Sequence, residues 1–447
     1  MPQFTMLFEP FSSVFTAPSF LHFQALILSL WALPLVTSGP LSLSRIWLQS
    51  RTSAHWDALL RFVRSYAWEV DELARVLTLF VLAQVKHRLP RDSSGRRILL
   101  IGVDETGDDH HTARHMFGVS KHYNSSAKAG QSKYRIGHCW VTLSILIDVH
   151  AEYVRSLAIN IALYIAKKSC QAEAYKSKRE LATEMLDKLC QWVGQDYQIA
   201  VVGDRYYACR EWIAEQRSKQ RRVVTRLRAD ANLYELAAEP KKKKRGRKRI
   251  YGTKISLKHR ARFAHKFEPE CDVQVYGRMH RVRLRKIVCR WRGLTDPVSV
   301  VIVTGIGKKP FYLLDTDTEA SAEQTLYFYA ARHAVEQGYE DLKCDGGLGQ
   351  YRGRTELGVR RFALLTVAAH TLLRLIELVP ELRRHLPQAA EPWRKPKSHM
   401  TMGQIRLALN KVLLAEYART GNFFKVGKQV EDEENCQRTE TVLKKAA

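Results

Sequence analysis

Two apolar runs in this chain lead into a carboxylate. Ile98–Val103 is followed by Asp104, and Ile199–Val202 is followed by Gly203 and Asp204. Continuous apolar runs of this length read as buried strands. The sites of open α/β sheets gather at strand ends. An aspartate after a strand is also a common turn or cap residue, so neither decides anything alone. A third carboxylate has closer company. Tyr329, Arg332, Glu336 and Lys343 are spaced by 3, 4 and 7 residues, within a segment from Ser321 to about Lys343 that reads as helical. At about 100° per residue these four share one stripe. The ordinary reading of such a stripe is an i,i+4 Arg–Glu pair on a solvated face. Against it, a phenol and a second cation extend the pattern over about four turns. Three carboxylates meeting in one place would repel one another and require divalent cations. Hard oxygen ligands suit Mg²⁺ or Mn²⁺. Two such ions are suited to displacement at a phosphodiester.

The neighbours of these residues offer rivals. Glu105 follows Asp104 directly, but adjacent strand residues point to opposite faces, so it reads as a bystander. Glu340 lies one helical turn beyond Glu336, on the same side. His110, His111 and His115 stand in a polar segment and read as surface histidines rather than a metal cluster. The eight cysteines show no CxxC spacing, which argues against a zinc knuckle and for reduced thiols.

Elements that could position the carboxylates are legible around them. Residues 1 to about 90 carry helical spacing, clearest from Asp57 to Val85. Phe20–Val36 is the most apolar stretch. It is at the short limit for a membrane span, it contains His22, Gln24 and Pro34, and no Lys or Arg precedes it. It reads as a buried helix. Beyond residue 95 the pattern becomes strands and helices in alternation, an α/β arrangement. Strands are predicted at Ile98–Val103, Cys139–Val149, Ile199–Val202, Val223–Leu227, Val273–Tyr276, Val282–Leu284, Ile287–Trp291 and Val298–Val303. Helices are predicted at Glu173–Val193, at about Tyr207–Gln216 and at Glu356–Leu378.

Charge is unevenly spread. The chain has 447 residues with 72 Lys and Arg against 45 acids, a net charge of +27. Residues 241–292 alone hold 20 of the basic residues and 3 acids. Lys241, Lys242, Lys243, Lys244, Arg245, Arg247, Lys248 and Arg249 open this stretch. A local field of this size is an electrostatic footprint for a phosphate backbone. Trp291, within CRWRG, could stack on a displaced base; a sheet-packing aromatic is the plainer reading.

The segments IGVDETG, HMFGVSKHYN, VVGDRYYA, RLRAD, the basic run ending in RIYG, and YAARHAVEQGYEDLKCDGGLGQYRGR together resemble insertion-sequence DDE transposases. Tyr329, Arg332, Glu336 and Lys343 match the family signature Tyr-x2-Arg-x3-Glu-x6-Lys. His333 stands where the family often has an aromatic. The resemblance implies an RNase H-like core, a mixed five-stranded sheet with flanking helices. An N-terminal helical domain precedes the core, and a β-rich insertion lies before the catalytic Glu. Asp204 lies 100 residues after Asp104, and Glu336 lies 132 after Asp204, which leaves room for that insertion. The implied domains are 1–92 (helical, binding DNA ends), 93–235 (core, first part), 236–295 (basic insertion), 296–380 (core, second part) and 381–447 (C-terminal helical region and tail). By the same resemblance Asp104, Asp204 and Glu336 hold two Mg²⁺ ions, with Mn²⁺ able to substitute. The implied reaction is hydrolysis at the ends of a mobile element, then attack of the freed 3′-OH on target DNA, often through a hairpin. Tyr329, Arg332 and Lys343 would bind the terminal phosphate and a displaced base. The expected partners are double-stranded DNA, both terminal inverted repeats and target, and a second copy of the chain. No membrane is expected, and the location would be cytoplasmic, at the nucleoid. A DNA-binding relative without activity, and a metal-dependent nuclease that does not join strands, are the alternatives.

Overall fold

The computed structural model describes residues 2–36, 42–50, 55–111, 113, 115–124, 127, 130, 132–238, 249–344, 346–387 and 399–420. They fall into two units, Met1–Leu77 with Leu342–Ala447, and Thr78–Asp341.

The chain opens with α1 (Ala17–Val36), α2 (Leu43–Ser50) and α3 (Trp56–Arg64), followed by α4 (Val70–Val85), which runs into the second unit. The apolar run read as a buried helix is α1. Its Phe23, Leu26, Ile27, Leu30 and Trp31 are at most 1% exposed. Among the described residues no helix is long and apolar enough to cross a membrane.

The second unit begins with β1 (Ile98–Gly107), a short hairpin of β2 (Ser120–Tyr123) and β3 (Tyr134–Gly137), then β4 (Cys139–Ile147) and β5 (Arg155–Tyr164). There follow α5 (Lys178–Val193), β6 (Gln198–Gly203), α6 (Arg210–Ser218) and β7 (Arg222–Leu227). Ser177 caps α5 in a full capping box with Glu180, which fixes where that helix starts. Next come β8 (Leu233–Leu236), β9 (Tyr251–Ile255), α7 (Leu257–Arg260), β10 (Cys271–Val275) and β11 (Arg278–Trp291). The unit closes with β12 (Val298–Thr304), β13 (Phe311–Asp315), α8 (Ala322–Ala331) and α9 (His333–Cys344).

All of these strands except β2 and β3 form one large mixed sheet in the order β5-β4-β1-β6-β7-β13-β12-β11-β8-β9, with β10 paired to β11. β1, β6 and β7 are mutually parallel, and the remaining pairings are antiparallel. The arrangement is mixed α/β and compatible with the expected RNase H-like domain. It differs from a free-standing five-stranded core. The edge of β7 is paired with β13, so the sheet passes without a break into the later strands. Two expected strand pieces, Val282–Leu284 and Ile287–Trp291, are parts of the single long strand β11.

A buried ion pair pins that seam. Arg222 donates to Asp315 through Nε at 3.0 Å and Nη2 at 2.7 Å. Asp315 also accepts from the Thr325 hydroxyl at 2.8 Å, and Arg222 reaches Gln324 Oε1 at 3.0 Å. Arg222 opens β7, Asp315 ends β13, and Thr325 and Gln324 lie in the first turn of α8. One guanidinium thus fixes where α8 leaves the sheet.

The first unit resumes with α10 (Glu356–Leu378), α11 (Pro380–Arg383) and α12 (Met402–Thr420). The Trp31 indole donates to Ala369 O at 2.7 Å, and Arg406 donates to Leu30 O at 3.0 Å, which tie α10 and α12 to α1. Arg361 lies 4.2 Å from the centre of the Trp68 ring. The rings of Phe15, Phe62 and Trp68 pack on one another, and Phe15 stacks on Phe23 of α1.

Removing one partner of a buried ion pair strands the other. Arg222→Ala is therefore expected to lower the unfolding free energy by about 3–5 kcal/mol. Urea denaturation of the purified chain checks this, and a loss under about 1 kcal/mol would show that the pair is solvated.

Candidate active site

The two aspartates leave the sheet side by side. Val103 of β1 is level with Gly203 of the parallel strand β6. Asp104 is the next residue of β1, and Asp204 is the first residue after β6. β1 does not stop at Asp104, as the sequence suggests. Its other neighbour, β4, keeps pairing as far as Gly107 opposite Cys139, so the strand is held straight through the site. β6 does end there. The Asp204 carboxylate accepts from Tyr206 N–H at 2.8 Å, and its carbonyl accepts from the Thr225 hydroxyl at 2.7 Å.

Glycine and a buried hydrogen bond bring α9 onto this pair of strands. A Cβ at Gly102 would lie 2.6 Å from Val335 Cγ2, so only a bare backbone lets the helix come this close. Tyr339, buried on the same helix, meets the Thr142 hydroxyl at 2.6 Å. Thr142 is the residue opposite Asp104 in the ladder. The anchor of the helix and the first aspartate thus share one rung.

Arg332 joins the carboxylates. Its Nη1 donates to Asp104 Oδ2 and its Nη2 to Glu336 Oε1, both at 2.6 Å. His333 Nδ1 lies 3.0 Å from Glu336 Oε2. Burial raises the Asp104 pKa to about 6. Arg332 works against that rise, while Asp204 and Glu336, both close enough to repel the charge, add to it. Glu336 is held down to about 2 by its hydrogen bond from His333, with Arg332 adding to the effect. Burial opposes the Arg332 charge, but Asp104, Tyr329 and Glu336 together outweigh it and lift the guanidinium above its usual range.

The predicted helix from Ser321 to about Lys343 is two helices. α8 ends at Ala331 and α9 begins at His333. Arg332 sits in the break, with i,i+3 bonds from its own N–H to Tyr329 O and from Val335 N–H to Arg332 O. This is a tight 3₁₀-type turn. The Tyr329 ring lies 5.9 Å from the Arg332 guanidinium. Lys343 occupies the last turn of α9, in the other unit.

Other candidates fall elsewhere. Glu105 pairs with Lys178, and Glu340 is exposed. His111 and His115 are exposed as expected, but His110 is a correction, because it is 2% exposed. Its backbone N–H bonds Ile136 O, which folds it against the sheet. Lys241, Lys242, Lys243, Lys244, Arg245, Arg247 and Lys248 lie outside the described residues. Arg249 is exposed and donates to Tyr251 O at 2.7 Å. Trp291 is the last residue of β11 and pairs with Leu233. At about 3.3 Å per residue it stands about 40 Å along the strand from the β10–β11 turn.

That turn holds the residue the sequence did not flag. Tyr276 and Gly277 both have positive φ, 54° and 71°, the geometry of a two-residue primed hairpin turn. The Tyr276 ring packs edge-on to His333 at 5.7 Å and lies within electrostatic range of Tyr329, Arg332 and Glu336. A cleft of about 220 Å³ opens here, lined by Tyr153, Gln274, Tyr276, His333 and Gln337 among others.

Residues 30–290, more than half of the chain, match the family described as DDE superfamily endonuclease. The chain belongs to the DDE superfamily of endonucleases. No curated protein matches it. The family match makes this DDE endonuclease a nucleic-acid-cleaving enzyme whose substrate is DNA and whose domain uses divalent metal ions. The match includes Asp104 and Asp204 and ends before Glu336, which joins the group through Arg332. The donor set suits a hard divalent cation: three carboxylates converge, two of them raising the pKa of the third, and the Glu336 side chain is 47% exposed.

The Tyr339–Thr142 bond gives this endonuclease a separable test of helix anchoring. Tyr339→Phe leaves a buried hydroxyl unmet and is expected to cost about 1–3 kcal/mol. Tyr339→Phe/Thr142→Val is expected to recover part of that, because both partners are removed. A double-mutant cycle by denaturation reads the coupling. Strict additivity would show that the two hydroxyls do not interact.

Proposed function

We propose that this DDE endonuclease is an insertion-sequence transposase, with Asp104, Asp204 and Glu336 as its metal-binding carboxylates. The observation that carries the reading is the Arg332 fork between Asp104 and Glu336, with Asp204 on the next strand. Helix, fork and carboxylates fall at the spacing Tyr329, Arg332, Glu336, Lys343. An accidental i,i+4 surface pair would not reach across to a buried aspartate.

The proposed activity is hydrolysis at the element's ends followed by 3′-OH strand transfer into target DNA, through a hairpin. Held by the three carboxylates, two Mg²⁺ ions would stabilise the attacking and leaving oxygens of the phosphodiester displacement, and Mn²⁺ would substitute. The protein's own groups do the positioning. Arg332 keeps Asp104 and Glu336 aimed together, and its charge favours an incoming phosphate. Tyr329 extends the same contact, and Lys343 is proposed to bind DNA in its own right. Tyr276, at the hairpin tip beside His333, takes the stacking role in place of Trp291. The basic run 241–249 holds DNA beyond the site, and two copies of the chain hold the two ends.

The test is cleavage of labelled DNA that carries the element's own ends, with Mg²⁺ or Mn²⁺. Asp204→Ala and Glu336→Ala should reduce nicking by roughly 10³-fold or more while leaving DNA affinity largely intact. Wild-type protein that binds but never cuts with either metal would overturn the reading, and cutting without joining would reduce it to a nuclease. Replacing Lys241, Lys242, Lys243 and Lys244 by alanine should flatten the dependence of log affinity on log salt by about 0.9 for each phosphate no longer neutralised. An unchanged slope would show that the run does not touch DNA.

A further inference from the structure

A second group of metal-ligand side chains lies four residues beyond Asp104, off the carboxylate site. Asp108, His110 and His138 offer ligand atoms within 4.8 Å of one another. They are 5%, 2% and 2% exposed. Asp108 follows the end of β1, and His138 lies between β3 and β4. Gly137 makes the approach possible, because a Cβ there would lie 1.9 Å from Asp108 O.

The hydrogen bonds in this cluster leave a buried ring nitrogen unmet. The Asp108 carboxylate accepts two well-formed bonds, from His138 N–H at 2.7 Å and from the Trp140 indole at 3.0 Å. His138 Nε2 lies 2.9 Å from Phe117 O. A carbonyl can only accept, so Nε2 carries the proton. Nδ1, in a neutral ring, then turns a bare lone pair towards Asp108 Oδ2 at 3.3 Å. His110 Nε2 faces Oδ1 of the same carboxylate at 3.4 Å. Its Nδ1 is buried with no hydrogen-bond partner. Either neutral tautomer of His110 leaves one buried nitrogen unmet or sets a lone pair against the carboxylate.

A metal ion would take up the His138 Nδ1 lone pair that faces Asp108. Separations of 3.3 and 3.4 Å are long for N–H···O bonds. Each is near the edge of a zinc tetrahedron, about 3.3 Å for ligands at about 2.0 Å, and the two reach opposite oxygens of the Asp108 carboxylate, which would span the ion. A ligating histidine commonly donates its other ring N–H to a backbone carbonyl, as His138 does to Phe117, and a ligating carboxylate is commonly oriented by further donors, as Asp108 is. Two imidazoles favour a borderline transition metal over Mg²⁺.

We propose that Asp108, His110 and His138 form a structural site for a divalent transition-metal ion of the zinc type, which clips together the two ends of the excursion from 108 to 138 beside β1. The burial of all three ligands keeps DNA away from this ion, so its role is to hold the backbone. The clip closes a loop of about 30 residues next to Asp104.

The full chain is stripped with chelator, dialysed against Zn²⁺ in the presence of excess Mg²⁺, and its bound zinc counted by elemental analysis. Wild type is expected to retain one equivalent and to unfold a few degrees higher than the stripped protein. Asp204→Ala is expected to keep the zinc, and His110→Ala and His138→Ala to lose it. Zinc X-ray absorption of the wild type is expected to show two imidazoles and no sulfur, a reading that needs no folded variant. Failure of wild type to retain zinc, equal retention by His110→Ala, loss in Asp204→Ala, or sulfur ligation would each overturn the site. None of these outcomes depends on whether the protein joins DNA.

Discussion

Three like charges gather where β1, β6 and α9 meet, and Arg332 is the group that makes their proximity tolerable. Two unit charges 4 Å apart repel by about 4 kcal/mol at a near-surface dielectric. A planar guanidinium with two donors facing two carboxylates turns that repulsion into a pair of short bonds. Lysine, a point charge on a flexible stem, could not span Asp104 and Glu336 in one geometry.

The surrounding fold serves that placement. Gly102 removes the side chain that would keep α9 away, and Tyr339 fastens the helix to the rung that carries Asp104. At the other end of α8, the Arg222–Asp315 pair fixes the direction in which the chain leaves β13. The site is graded as a result. Asp104 is deep, with its pKa raised by burial, and Glu336 is open to solvent, with its pKa lowered by His333. A ligand therefore meets Glu336 first and Asp104 last.

Much of this was legible in the residues. The two carboxylate-ended strands stood out because their apolar runs are unbroken, and Glu336 because its neighbours repeat at helical spacing. Other parts hid for physical reasons. β5 alternates Leu157, Ile159, Ile161 and Leu163, but it lies in a stretch with no chemistry-bearing residue to draw attention to it. The break at Arg332 has no proline or glycine to announce it and shows only as i,i+3 hydrogen bonds on a helical backbone. Tyr276 looked like any hairpin aromatic, because its nearness to His333 depends on how far β10 and β11 project. His110 sits among polar residues, and the ring that packs against it is His138, 28 positions later in the chain. Local pattern reports local structure, whereas these features arise from distant partners.

The seam between β7 and β13 has a consequence for how the molecule comes apart. Strands encoded before and after the basic run share one hydrogen-bonded ladder, with Arg222 and Asp315 bonded across it. A backbone cut between β8 and β9 would thus leave two fragments that remain associated, each supplying part of the same sheet. Asp104 and Asp204 would ride on one fragment and Glu336 on the other. The polypeptide could be divided into two genes whose products complement each other, with continuity of the sheet standing in for continuity of the chain.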